Sequence, residues 1–251
     1  MSQTQENGLS QPKYWARLAV FLLCALAVAI SLNVGAQALN TLNRLDVIEA
    51  ERDHWQRPSE VIRALNLKQG ETVLDLGCGS GYFSLKLSES VGPNGKVIAE
   101  DIRRLSLAFL WMRTLRRGKH NIRVLHAEVD DPHLAPNSVN AVLISNTYHE
   151  FTAPGRIMDR VRQSLLPGGR VVIVDRWPRD PREQPAVALQ EHEISPEQVQ
   201  ADLHKAMFEI DSRMDHFIED DPEHENWWMI VAHRPPGGNP EGLGRIRTNA
   251  R

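Results

Sequence analysis

Three stretches of the chain combine residue types and spacings that can do chemistry. The first is Val73-Leu74-Asp75-Leu76-Gly77-Cys78-Gly79-Ser80-Gly81-Tyr82-Phe83, an apolar run that passes through glycines into a helical pattern. Glycines at 77 and 79 remove side chains where a ligand must approach the backbone, and Gly81 opens a helix whose free N–H groups face the same crevice. An extended polar ligand fits such a turn. The second is Val97-Ile98-Ala99-Glu100-Asp101, which ends an apolar run on carboxylates about 20 residues past the glycine turn, the spacing at which nucleoside sites grip a ribose. The third is Ser145-Asn146-Thr147-Tyr148-His149-Glu150-Phe151, dense in polar groups after another apolar run. If a hydroxyl or thiol reacts there, His149 is the first candidate for general base and Glu150 the second. His149 read as a hydrogen-bonded residue that only shapes the pocket is the alternative.

These stretches need a scaffold, and the apolar pattern supplies one. Short runs at KVIA (96–99), RVLH (123–126), AVLI (141–144) and RVVIV (170–174) read as strands buried on both faces. Helical stretches lie between them at 81–90, 103–117 and 154–165, so the β-α-β alternation predicts a parallel, doubly wound α/β sheet. Before the first strand, Val61, Ile62 and Leu65 mark a helix over 60–67 that Gly70 closes. After the last, a helix over 196–207 precedes two apolar segments, 208–217 and 227–232, joined by the polar EDDPEHEN, which predicts an antiparallel hairpin. Leu166-Pro167-Gly168-Gly169-Arg170 is a structural turn into the fifth strand.

VLDLGCGSGYFS resembles motif I of the class I S-adenosylmethionine-dependent methyltransferases, with an acidic residue two positions before the first glycine. A dinucleotide fingerprint reads G-x-G-x-x-G; here the third glycine arrives one position early and Tyr82 takes its place. The resemblance implies a Rossmann-like, mostly parallel seven-stranded sheet with a C-terminal antiparallel hairpin, and S-adenosyl-L-methionine as cofactor. It implies that Asp75 and the loop Gly77, Cys78, Gly79 and Gly81 hold the methionine part. It also implies that Asp101, which aligns better than Glu100, holds the ribose, that Asp130 and Val129 in HAEVDD meet the adenine, and that Asn146 belongs to the cofactor set. The SNTYHEF stretch is similar to the T-Y-H-E segment of small-molecule methyltransferases and lacks the proline pair of the (D/N)PPY motif, which points to a small-molecule acceptor. His192 and Glu193 border that pocket or lie in a solvated loop.

Composition narrows the rest. A net charge of -3 with 24% charged residues gives no electrostatic basis for binding nucleic acid. Ten histidines are present, yet none has the H-E-x-x-H spacing and Cys78 stands outside any cysteine cluster, so no metal is expected. The basic run Arg113, Arg116, Arg117, Lys119 and Arg123 reads as a solvated helix end, or as a contact to anionic lipid.

Residues 18–30, LAVFLLCALAVAI, carry no polar side chain, and extended to Leu39 they reach the roughly 20 residues of a membrane span. An uncleaved single-pass anchor is the preferred reading; a signal peptide cut after Ala36-Gln37-Ala38, with export of the rest, is the alternative. Basic residues flank both ends, so charge gives almost no orientation, and a cytoplasmic domain follows only from where the cofactor is made. The expected organisation is a polar N-terminus (1–17), the apolar segment (18–39), a linker helix (40–57), a methyltransferase domain (58–234) and a disordered tail (235–251). Two rival functions stay open. A nicotinamide-dependent oxidoreductase would need a tyrosine-lysine pair not found after the fourth strand, and a non-catalytic membrane scaffold would keep the fold without transferring methyl groups.

Overall fold

The computed structural model describes residues 11–237 except Asp130, His133, 180–184, Glu191, Asp220 and 222–225. The polar N-terminus up to residue 10, most of the EDDPEHEN turn and the tail from 238 lie outside the described residues. The chain divides between Ala50 and Glu51 into two compact units, each described by itself.

In the first unit, helix α1 (Gln11–Trp55) begins and runs without a break past Leu39 into the stretch expected to be a linker helix. Between Pro12 in its first turn and Pro58 beyond its end, Gly35 is the only glycine or proline, and one interior glycine, at about 1 kcal/mol, does not break a long helix. Val20, Leu23, Leu26, Ile30 and Val34 all stand exposed. The helix is long and apolar enough to cross a bilayer.

The second unit carries the site. Helix α2 (Pro58–Ala64) precedes strand β1 (Thr72–Leu76), and then come α3 (Tyr82–Val91), β2 (Lys96–Asp101), α4 (Arg104–Arg116), β3 (Ile122–His126) and β4 (Val139–Ser145). A 3-10 turn (Tyr148–Glu150) follows, then α5 (Pro154–Ser164), β5 (Leu165–Arg176), α6 (Pro185–Gln190), α7 (Pro196–Lys205), β6 (Glu209–Ile218) and β7 (Trp227–His233). Helix α2 ends well before Gly70, which instead sits in a turn and donates to Val91 O at 2.9 Å.

The strands form one sheet in the order β3-β2-β1-β4-β5-β7-β6. The first five are parallel; β7 pairs antiparallel with β5 and β6 antiparallel with β7. The doubly wound sheet and its terminal hairpin are as the sequence predicts. Side-chain alternation divides the core: Leu74, Val142, Ile144 and Ile173 pack with α5 and α7, whereas Val73, Ala141, Leu143 and Val172 pack with α2 and α3. Strand β3 is the exception, because it lies at the sheet edge and none of its five residues is fully buried.

The order in which strands are added to the sheet reverses between β1 and β4, which puts a crevice at the carboxyl ends of those strands. Ser195 caps α7, its hydroxyl accepting from Gln198 N at 3.3 Å, and Pro196 occupies the first turn.

Candidate active site

The turn after β1 is held from three directions. The amides of Gly77 and Cys78 both donate to Glu100 O, at 2.8 and 3.0 Å, which ties the turn to the end of β2. The Gly79 amide donates to Asp101 Oδ2 at 2.8 Å, while Arg103 N donates to Asp101 Oδ1 at 2.7 Å. From α4, the fully buried Arg113 donates to Ser80 O at 2.7 Å. Arg113 is therefore no part of a solvated helix end; its guanidinium is buried against the loop carbonyl of Ser80.

The glycines serve different ends. Gly77 has φ +75, and a Cβ there would lie 2.2 Å from Thr147 Cγ2, so its first requirement is close approach to the loop after β4 rather than to a ligand. Gly79, at φ +53, has nothing within 4 Å of where its Cβ would stand and leaves a hollow. Gly81 caps α3 and does not border the cavity described next.

A cavity of about 370 Å³ opens over this turn, a volume at the lower end of the small-molecule range. Asp75, Gly77, Cys78, Gly79, Asp101 and Val129 line it. Asn146 and Glu150 complete the expected residues on its wall, and Asp130 lies outside the described residues. Burial pushes the Asp75 carboxyl up to about 7 even though Ser84 donates a hydrogen bond to it. Burial and then the charge of Asp131 push Glu100 up to about 8. Glu100, ranked below Asp101 by alignment, is almost wholly buried on the same wall, and its Oε2 has no hydrogen-bond partner. Asn146 Oδ1 and Ser145 Oγ are likewise unpartnered on that wall.

The polar stretch after β4 divides. Glu150 reaches the cavity and forms an ion pair with Arg103, which raises the Arg103 pKa further. His149 is buried and does not line the cavity: its Nδ1 lies 2.8 Å from Asp175 Oδ1, and its backbone amide donates to Asp175 Oδ2 at 3.3 Å. Asp175 was missed by sequence reasoning, although an acid at the carboxyl end of β5, beside β4, was a signal for it. His192 is exposed at φ +62, and its ring stands edge-on to that of His149 with centroids 5.2 Å apart. Glu193 is no solvated loop residue: it is buried, and its Oε2 accepts from Arg179 N at 2.8 Å.

Residues 67–231 match the family described as "methyltransferase domain". The chain belongs to that family. A curated relative, the demethylmenaquinone methyltransferase of Geobacillus stearothermophilus, is 26% identical to this methyltransferase domain over 133 residues, which are 53% of this chain and 57% of the relative. The match thus spans little more than half of that relative's length. A solved S-adenosylmethionine-dependent methyltransferase from Aquifex aeolicus is similar with a TM-score of 0.60 and 25% identity, over 70% of this chain and 88% of that one. The [4+2]-cyclase SpnF superposes with a TM-score of 0.63 over 72% of this chain and 81% of its own; at 16% identity it speaks to the fold alone. The domain is thereby a class I S-adenosylmethionine-dependent methyltransferase domain, as motif I implies.

The methyltransferase domain fits that cofactor on its own geometry. The backbone at Gly79 faces open space that a side chain would enter, and Glu100, Ser145 and Asn146 offer buried oxygens with no partner among the described residues. Buried acceptors of this kind are costly unless a donor meets them, and a cofactor rich in ammonium and hydroxyl groups brings such donors.

Proposed function

We propose that the chain transfers a methyl group from S-adenosyl-L-methionine to a small lipophilic acceptor, and does so at a membrane. The observation that carries the reading is the cavity at the β1/β4 switch point, with its bare floor at Gly79 and its unpartnered Glu100 oxygen. Asp75 and the loop at Gly77, Cys78 and Gly79 hold the methionine part, with Gly81 opening α3 behind the loop without touching the cofactor, and Asp101 holds the ribose. Each Asp101 oxygen accepts one backbone N–H and keeps a lone pair for a ribose hydroxyl. Val129 covers the adenine, and Asn146 completes the set. When bound, the cofactor supplies a methyl group on a positively charged sulfur.

The protein aligns the acceptor and excludes water, and such positioning supplies roughly 7–11 kcal/mol. Glu150, on the wall, takes the acceptor's proton; His149 stands behind it, oriented by Asp175, and relays or stabilises that proton.

Two features support a lipophilic acceptor. Helix α1 is long and apolar enough to cross a bilayer, and a single-pass tether would hold the enzyme where such acceptors dissolve. On α4, Leu105, Trp111 and Leu115 are 72%, 56% and 58% exposed, and Arg104, Arg116 and Arg117 flank them. Such an apolar stripe with a basic border suits a lipid surface. The same helix carries Ser106, which with the preceding Arg103 lines the cavity. The relative named for demethylmenaquinone acts on an acceptor of this class. A cytoplasmic domain suits cofactor supply.

The test is incubation of the full chain, in membranes and with a lipid extract, with methyl-labelled cofactor. Label in a lipid-soluble product that disappears in an Asp101→Ala variant is the expected result. Label only in water-soluble products rejects the lipophilic acceptor, and none in any product rejects methyl transfer.

A further inference from the structure

We propose that His149, Glu150 and His192 bind a divalent transition-metal ion of the zinc class, with Asp175 as the residue that orients His149. One ligand atom from each of the three side chains lies within 4.8 Å of the other two. Two imidazoles and one carboxylate form a zinc-ligand set, and three protein ligands leave a coordination position open for a further oxygen or sulfur. Metal–ligand distances near 2.1 Å put tetrahedral ligand atoms about 3.3 Å apart, so closure asks for a contraction of roughly 1 Å or a little more. His192 and Glu150 are both exposed and have the freedom to supply it.

The surroundings of His149 favour a ligand over a mere packing residue. Its Nδ1 is 2.8 Å from the buried Asp175 carboxylate, which leaves Nε2 as the free ring nitrogen. A ligating histidine with its other nitrogen on a carboxylate is the usual arrangement around bound zinc, because it fixes the tautomer and raises the ring's basicity. Asp175 also accepts from the His149 backbone amide and from Arg176 N at 2.9 Å, so the carboxylate is held in place. Glu150 engages Arg103 through Oε1 and keeps Oε2 for a metal. The sequence hides this set because the histidines come from two loops far apart in the chain, after β4 and after α6.

Of the three, Glu150 lines the cavity, so a bound ion would stand beside it there. Resting on the methyl-transfer reading, a bound ion would act as a Lewis acid, so that an acceptor hydroxyl or thiol coordinated to it gives up its proton to solvent more readily; in the metal-bound protein Glu150 and His149 would serve as ligands in place of the proton-handling role they have without the ion. The metal site itself does not depend on that reading.

The experiment uses the untagged full chain in detergent, stripped with a chelator and titrated with zinc chloride by calorimetry and with cobalt(II) chloride by visible absorption. The proposal expects saturable binding of a single ion and the intense absorption of four-coordinate cobalt. His192→Ala, at an exposed position, should abolish both while circular dichroism stays unchanged; Asp175→Asn should weaken zinc binding roughly 10- to 100-fold. His204→Ala on α7 should change neither. No saturable binding, or binding that His192→Ala leaves intact, overturns the site. Zinc binding in a chain that fails to bind S-adenosylmethionine would uphold the metal site and sink the methyltransferase reading; the reverse result would sink the metal site alone.

Discussion

The backbone amide of Gly79 donates to Asp101 Oδ2 at 2.8 Å, so the glycine turn after β1 and the acid at the end of β2 form one unit. A loop shaped to hold a ligand is thereby tied to the carboxylate proposed to hold the ribose. Asp101→Ala removes a charge-assisted bond worth about 1.5–3 kcal/mol, and the ribose contact with it. Affinity for S-adenosylmethionine should fall at least about 10- to 100-fold, read by calorimetric titration.

Gly77 and Gly79 should respond differently to alanine. At Gly77 the new Cβ meets Thr147 Cγ2 at 2.2 Å, and overpacking of that kind costs roughly 1–3 kcal/mol, seen as a lower melting temperature. Gly77→Ala combined with Thr147→Gly should recover part of the loss. Gly79→Ala meets no atom, so its thermal penalty should be the smaller one, while its cofactor affinity drops more.

Stability should decline as pH rises from about 4 to about 8. Asp75 and Glu100 are raised from ordinary values of 3.8 and 4.5 to about 7 and about 8. Between those limits the unfolded chain has released protons that the folded protein still holds, so each step up in pH favours unfolding, by up to about 1.4 kcal/mol per pH unit for each group. Chemical denaturation at a series of pH values checks this. Glu100→Gln should flatten the upper part of the curve. Binding of a cationic cofactor should ionise these carboxyls and release protons near pH 7, measurable by calorimetry in buffers of different ionisation enthalpy.

Glu150 separates chemistry from folding. Its pairing with Arg103 joins partly exposed side chains, and such pairs contribute only about 0–1 kcal/mol. Glu150→Gln should leave the melting temperature nearly unchanged. Methyl transfer should fall by roughly 10²- to 10⁴-fold if the carboxylate handles the acceptor's proton, with the loss in kcat rather than KM.

The parallel strands and the terminal hairpin are legible in the sequence because buried strands leave continuous apolar runs and helices leave a different period. The wall of the cavity is legible at Asp75, Gly79, Asp101 and Asn146, since a glycine turn and strand-end polar residues mark a switch point. Edge position is not written locally: RVLH looks as apolar as its neighbours, yet β3 has no strand beyond it. Nor does a local pattern tell Arg113 from the exposed Arg116, because burial depends on the Ser80 carbonyl that a different loop brings to it. The His149–Asp175 contact joins the ends of neighbouring strands, and Asp101 differs from the likewise buried Glu100 in the two loop amides it accepts, from Gly79 and Arg103, which no local pattern shows.

Calorimetric titration of the full chain and of its Gly79→Val variant with S-adenosylmethionine tests the central claim most directly. Saturable binding of a single cofactor molecule by the natural chain, lost when valine fills the hollow although the fold persists, is the predicted result. Unchanged binding by Gly79→Val, or no binding by the natural chain, would contradict it.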